Sequence, residues 1–124
     1  MVMIKLTSAI VLCANLAIST SAMAATVNVN CNLADISRKG NPNVANEALS
    51  LQVGEKPVVI YYSGVNYEIS LGTVSAPGAF ELIVAYRDSA TNNLLGSAIA
   101  TFSNDNPDVI LQNGANILLR CAGH

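Results

Sequence analysis

The sequence predicts an all-β protein, a small antiparallel β-sandwich of seven or eight short strands, with a small β-barrel as the alternative. Apolar and polar residues alternate with a period of two along almost the whole chain after residue 24. Turn-forming residues separate these alternating runs at fairly regular intervals, and no run has the spacing of an amphipathic helix. The chain has 124 residues, which is enough for one domain of this kind.

Residues 1–24 have the pattern of a secretory signal peptide. A lysine precedes an apolar run over residues 8–18, and small residues ending at Ala24 supply the pattern that signal peptidase cleaves. We therefore expect cleavage after Ala24, export to the periplasm or the medium, and a single β-sandwich domain over residues 25–124. The alternatives are lipoprotein processing at Cys13 and an uncleaved N-terminal anchor.

The composition excludes two classes of protein. Hydrophobic residues make up 52% of the chain and charged residues 11%, whereas a disordered chain has the opposite balance. Residues 25–124 hold five Lys and Arg against eight Asp and Glu, a net charge of −3, and no basic run. A nucleic-acid partner is therefore not expected, and neither is a membrane span once residues 1–24 are removed.

Two cysteines, Cys31 and Cys121, lie near opposite ends of the predicted domain. In an oxidising compartment a single pair has only one intramolecular connectivity, so we expect a Cys31–Cys121 disulfide. Because the Cα atoms of a disulfide lie about 4.4–6.8 Å apart, the first and last strands must be neighbours or face each other across the core. Two unpaired, buried thiols are the alternative.

Four strands are predicted in the first half of the domain. The first, over residues 26–33, places apolar residues on one face and Asn28, Asn30 and Asn32 on the other. Residues 34–46 contain glycine, proline and several polar turn formers, which predicts a loop. The other strands fall at residues 48–53, 58–62 and 67–71, the last two forming a hairpin about residues 63–66.

Four more strands are predicted at residues 80–87, 94–102, 109–112 and 115–121. The Asn-Gly pair at 113–114 is typical of a two-residue type I′ turn, because both positions tolerate a positive φ. Such a turn pairs Ile110 with Ile117, so that both share the core face with Cys121.

Two short segments resemble known families. Residues 77–86 (PGAFELIVAY) are similar to the alternating, aromatic-containing strand of bacterial immunoglobulin-like domains. This likeness implies an immunoglobulin-like sandwich and no particular activity. Residues 63–67 (SGVNY) resemble an S-G-x-x-Y string of periplasmic lysozyme inhibitors, although the aromatic and glycine residues expected downstream in that family are absent.

Residues that carry catalysis are scarce. The one histidine, His124, ends the chain, and both cysteines are assigned to the disulfide, so we expect no enzymatic activity. No ligand cluster suggests zinc, and no cofactor is expected. Asp105 and Asp108 could bind Ca²⁺ through loop oxygens, but turn formation is the favoured explanation. Glu68 and Glu81 would form a glycosidase-like pair only if adjacent strands brought them together.

The remaining functions are binding and structure. Val59, Tyr61, Ile83 and Ala85 point away from the predicted core, and if their strands were adjacent they would form an aromatic and apolar stripe. A covering loop, or an inverted core assignment, is the alternative. The asparagines of the first strand are a second candidate surface.

We expect a non-enzymatic binding module that acts in the cell envelope or outside the cell on a protein or glycan partner. An inhibitor of an extracytoplasmic hydrolase, such as a lysozyme or a protease, is one alternative. A subunit of a surface fibre is another.

Overall fold

The computed structural model describes residues 25–123 and confirms an all-β sandwich, in which eight strands form two antiparallel sheets of four. The predicted signal peptide at residues 1–24 and the terminal His124 lie outside the described residues. Residues 25–123 contain no helix that could cross a lipid bilayer. The strands are β1 (Thr26–Asp35), β2 (Asn43–Gln52), β3 (Val58–Tyr62), β4 (Val65–Thr73), β5 (Phe80–Asp88), β6 (Leu94–Phe102), β7 (Asp108–Asn113) and β8 (Ile117–Gly123).

One sheet is built from the first and last pairs of strands, and the other from the four strands between them. Sheet A has the strand order β2-β1-β8-β7, and sheet B has the order β3-β4-β5-β6. β1 is therefore a central strand, paired with β2 on one side and with β8 on the other. In constant-type immunoglobulin domains the four-stranded sheet holds the first, second, fifth and fourth strands, so the strand order of this sandwich is a different one.

The core lies between the inward faces of the two sheets, as the period-two alternation predicts. Val29, Cys31 and Leu33 of β1 are fully buried, and they pack in one cluster with Tyr67 and Ile69 of β4. Alternate residues of each central strand point outward instead, which gives every central strand one core face and one outer face.

The presence of a glycine at position 96 in β6 is explained by the ring of Tyr86, its partner in β5. The Tyr86 ring stacks on that of Tyr67, with ring centroids 5.9 Å apart. A Cβ atom at Gly96 would lie 2.5 Å from Cε1 of Tyr86, so the stacked ring requires glycine beside it.

Cys31 and Cys121 are bonded to each other, and both side chains are fully buried. They stand directly opposite each other in the β1–β8 pair, with Cα atoms 4.0 Å apart. The predicted disulfide is confirmed, and the first and last strands are neighbours. Disulfides persist in oxidising compartments, so the bond indicates an oxidising, extracytoplasmic environment.

The β7–β8 hairpin has a longer loop than the Asn-Gly pair predicts. The loop consists of residues 114–116 and closes on the pair Asn113–Ile117. Gly114 has a φ of 71°, whereas Asn113 stays in the extended strand. A type I′ turn requires a positive φ at both central residues, so it does not form here.

The change of loop alters the register of β7. Ile110 pairs with Arg120 and is 54% exposed, so the prediction that Ile110 faces the core is wrong. Val109 and Leu111 fill the core instead. Cys121 keeps its predicted core-facing position, because the alternation within β8 does not depend on the turn.

The two positive φ angles typical of a type I′ turn occur instead between β3 and β4. Ser63 has a φ of 52° and Gly64 a φ of 82°, and the turn closes on the pair Tyr62–Val65. The predicted hairpin between these strands is confirmed, with a tighter turn than residues 63–66.

The predicted loop at residues 34–46 is shorter than expected. β1 extends to Asp35 and β2 begins at Asn43, so residues 36–42 form the connection. β2 is an edge strand, and three consecutive residues in its middle are exposed. The alternation that marks a strand in the sequence is therefore missing from this part of β2.

Candidate binding surface

The outer face of sheet B holds all four residues of the predicted apolar stripe. Val59 and Tyr61 belong to β3, whereas Ile83 and Ala85 belong to β5. β4 lies between these strands, which places β3 and β5 two strand spacings, about 10 Å, apart. The condition for one continuous stripe, adjacency of the two strands, is therefore not met.

A charged ridge on β4 and β5 separates the two apolar parts of this face. Glu68 stands between Val59 and Ala85 in the register of the three strands. Its Oε1 atom accepts a hydrogen bond from Nε of Arg87 at 3.2 Å, and Arg87 also donates to the carbonyl of Asn92 at 3.3 Å. The arginine of this ion pair is thus held by two acceptors, and both side chains are only partly exposed.

The first apolar part, which we call the β3 patch, consists of Val59 and Tyr61. These residues are 52% and 63% exposed. The hydroxyl of Tyr61 accepts a hydrogen bond from the backbone N–H of Gly64 at 3.1 Å. Because this bond ties the ring to the adjacent turn, the aromatic face is presented to solvent in a defined orientation.

The second apolar part lies on β5 and β6. Ile83 and Ala85 are only partly exposed, and Ile83 stands opposite Ile99 of β6. Ile99 and Leu95 are exposed hydrophobic residues of the same outer face. The predicted stripe does not include these two residues, although they are large apolar residues among small ones in the predicted strand at 94–102, and this contrast is a signal that could identify them.

Asn28, Asn30 and Asn32 lie on the outer face of sheet A, as the alternation predicts. The side-chain oxygen of Asn28 accepts a hydrogen bond from the Ser50 hydroxyl at 2.8 Å, and the amide of Asn32 donates to the Ala45 carbonyl at 3.4 Å. Two of the three asparagine side chains therefore form hydrogen bonds with the neighbouring strand β2. This leaves fewer free amide groups on this face for a ligand.

Glu68 and Glu81 are not brought together. Both lie on the outer face of adjacent strands, but Glu68 stands opposite Ala85 and Glu81 opposite Gly72. The offset of four residues corresponds to about 13 Å along the strands. Glycosidase carboxylates are about 5–9.5 Å apart, so this pair does not have the geometry of a glycosidase site.

The carboxylates of Asp105, in the loop before β7, and of Asp108, the first residue of β7, are occupied within the protein. Arg120 donates to both oxygens of Asp108, at 3.0 and 2.7 Å, and this pairing lowers the pKa of Asp108. Asp105 accepts a hydrogen bond from the backbone N–H of Ser103 at 3.4 Å. An ion pair and a turn account for both carboxylates, and no three metal-binding side chains cluster anywhere in residues 25–123.

Asp35 is a buried carboxylate that the sequence patterns place in a loop. It is 7% exposed and accepts hydrogen bonds from the Ser37 hydroxyl at 2.5 Å, the Ser37 N–H at 3.0 Å and the Tyr62 hydroxyl at 2.6 Å. These bonds hold the pKa of Asp35 below its usual range, and the bond to Asp35 raises the pKa of Tyr62. Because Asp35 ends β1 and Tyr62 ends β3, the cluster ties sheet A to sheet B.

The S-G-x-x-Y string at residues 63–67 contributes to a turn and to the core of this fold. Ser63 and Gly64 form the β3–β4 turn, and Tyr67 is fully buried with its hydroxyl accepting a hydrogen bond from Asn113 at 3.0 Å. These residues are therefore used by the hairpin and the core.

Comparison of the chain with protein-family models, curated proteins and solved structures finds no match. Residues 25–123 enclose no pocket.

Proposed function

We propose that this chain is an exported, non-enzymatic interaction module that binds a protein or a glycan through the β3 patch. The observation that carries the proposal is the exposed pair Val59 and Tyr61, with the tyrosine hydroxyl bonded to Gly64. An exposed aromatic side chain in a fixed orientation gives large contact area at a small cost in conformational entropy. Tyrosine is accordingly enriched among the residues that contribute most to binding.

The surroundings of the β3 patch suit a contact site. Val59 and Tyr61 are two residues apart on the same face of β3, so their side chains lie about 7 Å apart. The Glu68–Arg87 ion pair borders them on β4 and β5. An apolar centre with a polar rim is the usual arrangement of a protein interface.

The proposal that the protein is not an enzyme is supported by the interactions of three carboxylates, which are all bonded within the protein. Glu68 and Asp108 are each bonded to an arginine, and Asp35 accepts three hydrogen bonds. Residues 25–123 contain no histidine. None of these three carboxylates is left free to act as a general base or a nucleophile.

Export is supported by the buried disulfide together with the signal-peptide pattern of residues 1–24.

The two alternative functions, hydrolase inhibitor and fibre subunit, make different demands on the molecule. A hydrolase inhibitor must block its enzyme when bound, and a fibre subunit that receives a donated strand needs a vacant strand position. β1 is paired on both sides, so it offers no such position.

The test is capture of a partner by immobilised protein, expressed from its full sequence and purified without reductant. It is exposed to envelope extract and to culture medium of the producing organism. We expect a retained partner that is lost when Val59 and Tyr61 are both replaced by serine. The matched control is Ile110→Ser, which removes a side chain of 54% exposure from the opposite sheet and should leave capture intact.

Protease treatment of the extract separates a protein partner, whose capture is abolished, from a glycan, whose capture survives. Retention of the same partner by the double variant would contradict the proposal. Capture of a hydrolase whose activity is then blocked would favour the inhibitor alternative.

A further inference from the structure

The sandwich has four edge strands, β2 and β7 in sheet A and β3 and β6 in sheet B. An edge strand presents unpaired backbone N–H and C=O groups, and proteins normally protect such edges against pairing with another chain. We propose that the edge of β6 pairs antiparallel with β6 of a second copy of this chain, which joins two B sheets into one continuous sheet. β6 lies at the opposite edge of sheet B from the β3 patch, so this pairing is independent of the proposed partner.

Three of the four edges carry protective features. In β2 the register shifts opposite Leu33 and Ala34, and Glu47 stands opposite the core residue Cys31, so that its charge lies on the inward side. β3 has five residues and follows Pro57, and β7 has six residues and begins with Asp108. Bulges, inward charges, short length, proline and edge charges all discourage strand addition.

β6 has almost none of this protection. Its nine residues, LLGSAIATF, contain no charge and no proline. The register shift opposite Tyr86 and Arg87 leaves one extra residue, Leu95, near the start of the strand, so residues 96–102 pair regularly with β5. Within residues 25–123, the backbone of β6 forms no backbone hydrogen bond outside its strand pairing.

The side chains of β6 suit pairing with an identical strand. On the outer face, Leu95 and Ile99 are large and exposed, whereas Ser97 and Thr101 are small and polar. A two-fold axis at Ala98 places Ser97 opposite Ile99 of the second copy, within the residues 96–102 that pair regularly. Each Ile99 then meets a small side chain directly and the Ile99 of the other copy diagonally, within reach of contact.

This register also extends the apolar part of the outer face across the axis. Ile83 stands beside Ile99 in each copy, so the two isoleucine pairs join into one band of four. On the inner face, the small side chain of Ala98 meets its own copy, which leaves room for close approach of the strands. A second copy therefore fits better than an arbitrary peptide, because an uncharged, self-complementary strand closes into a two-fold dimer.

The test is sedimentation equilibrium of the protein, expressed from its full sequence and purified without reductant, from about 10 μM to about 1 mM, the range of weak interfaces. We expect a concentration-dependent dimer. Ile99→Lys should raise the dissociation constant at least about tenfold, because it removes the apolar contacts at two symmetric positions. Ile110→Lys is the matched control, since Ile110 is 54% and Ile99 56% exposed, and it should leave dimerisation unchanged.

A mixture of variants tests the register itself. Ser97→Glu and Ile99→Lys should each dimerise weakly alone. Their mixture should associate, because the carboxylate introduced at position 97 of one copy then stands opposite the ammonium group introduced at position 99 of the other. A monomer at all concentrations, equal weakening by Ile110→Lys, or a mixture that fails to associate would each overturn the proposal. The variant with serine at both Val59 and Tyr61 should still dimerise, which separates this inference from the proposed function.

Discussion

Replacing both disulfide cysteines by alanine should remove most of the stability of the domain. The bond joins residues 90 positions apart, and the loop-entropy relation gives about 4.6 kcal/mol for a segment of that length at 25 °C. Both sulfurs are fully buried, so their loss removes about 1–2 kcal/mol of packing in addition. The total of about 6 kcal/mol is comparable with the whole stability of a small domain, about 5–15 kcal/mol.

The choice of alanine separates the cross-link from a second effect. Serine at Cys31 and Cys121 would place two hydroxyl groups in a fully buried site, and each unpaired hydroxyl costs about 1–3 kcal/mol. The serine pair should therefore be less stable than the alanine pair, even though both lack the bond.

Urea unfolding followed by far-ultraviolet circular dichroism measures these differences for the oxidised protein, the reduced protein and the two double variants. Oxidised protein should have by far the highest midpoint, and reduced protein, which keeps both buried sulfurs, should lie somewhat above the alanine pair. A loss of less than about 1 kcal/mol in the alanine pair would refute the reasoning. So would two free thiols titrated in denatured protein that has never been reduced.

Three further predictions follow from single features. The Asp35 pKa is lowered in the folded state, so its stabilising effect is present above its unfolded value near 3.9 and is lost as the pH falls through the folded value. Melting curves from about pH 6 to about pH 2 should fall less steeply for Asp35→Asn than for the wild type, and equal slopes would contradict the role of this carboxylate. Gly96→Ala should destabilise by about 1–3 kcal/mol, because its Cβ would lie 2.5 Å from the rigid Tyr86 ring, whereas Gly72→Ala, whose Cβ would lie 3.3 Å from flexible side-chain atoms, should cost less. Thermal unfolding of the two variants checks this order, and an equal loss in both would contradict it. Intact mass of the exported protein should give Ala25 as the first residue, and a chain that starts at Met1 would overturn the signal-peptide prediction.

Local patterns in the sequence predict the central strands well. In β1 the alternation assigns Val29, Cys31 and Leu33 to the core, and all three are fully buried. The cysteine count then links β1 to β8, because one pair in an oxidising compartment has one connectivity. These predictions succeed because a strand with one buried face has apolar residues at every second position in the sequence.

Predictions that depend on one turn or on strand order succeed less well. Ile110 is displaced to the surface because one added loop residue exchanges the two faces of β7. The separation of Val59 from Ala85 by Glu68 depends on β4 lying between β3 and β5, and no alternation within a strand encodes that order. Positions at an exposed edge, such as Asn43 at the start of β2, are hard to predict as strand from the sequence. Neither face of β2 is consistently buried, so its residues show no regular alternation of apolar and polar side chains.

The central claim, that the β3 patch binds a partner, is tested most directly by amide hydrogen exchange of the protein with and without the captured partner. Binding should slow exchange over residues 58–68, which include the patch, its turn and Glu68, and should leave β7 and β8 unchanged. Slowed exchange confined to the outer face of sheet A, with residues 58–68 unaffected, would contradict the account.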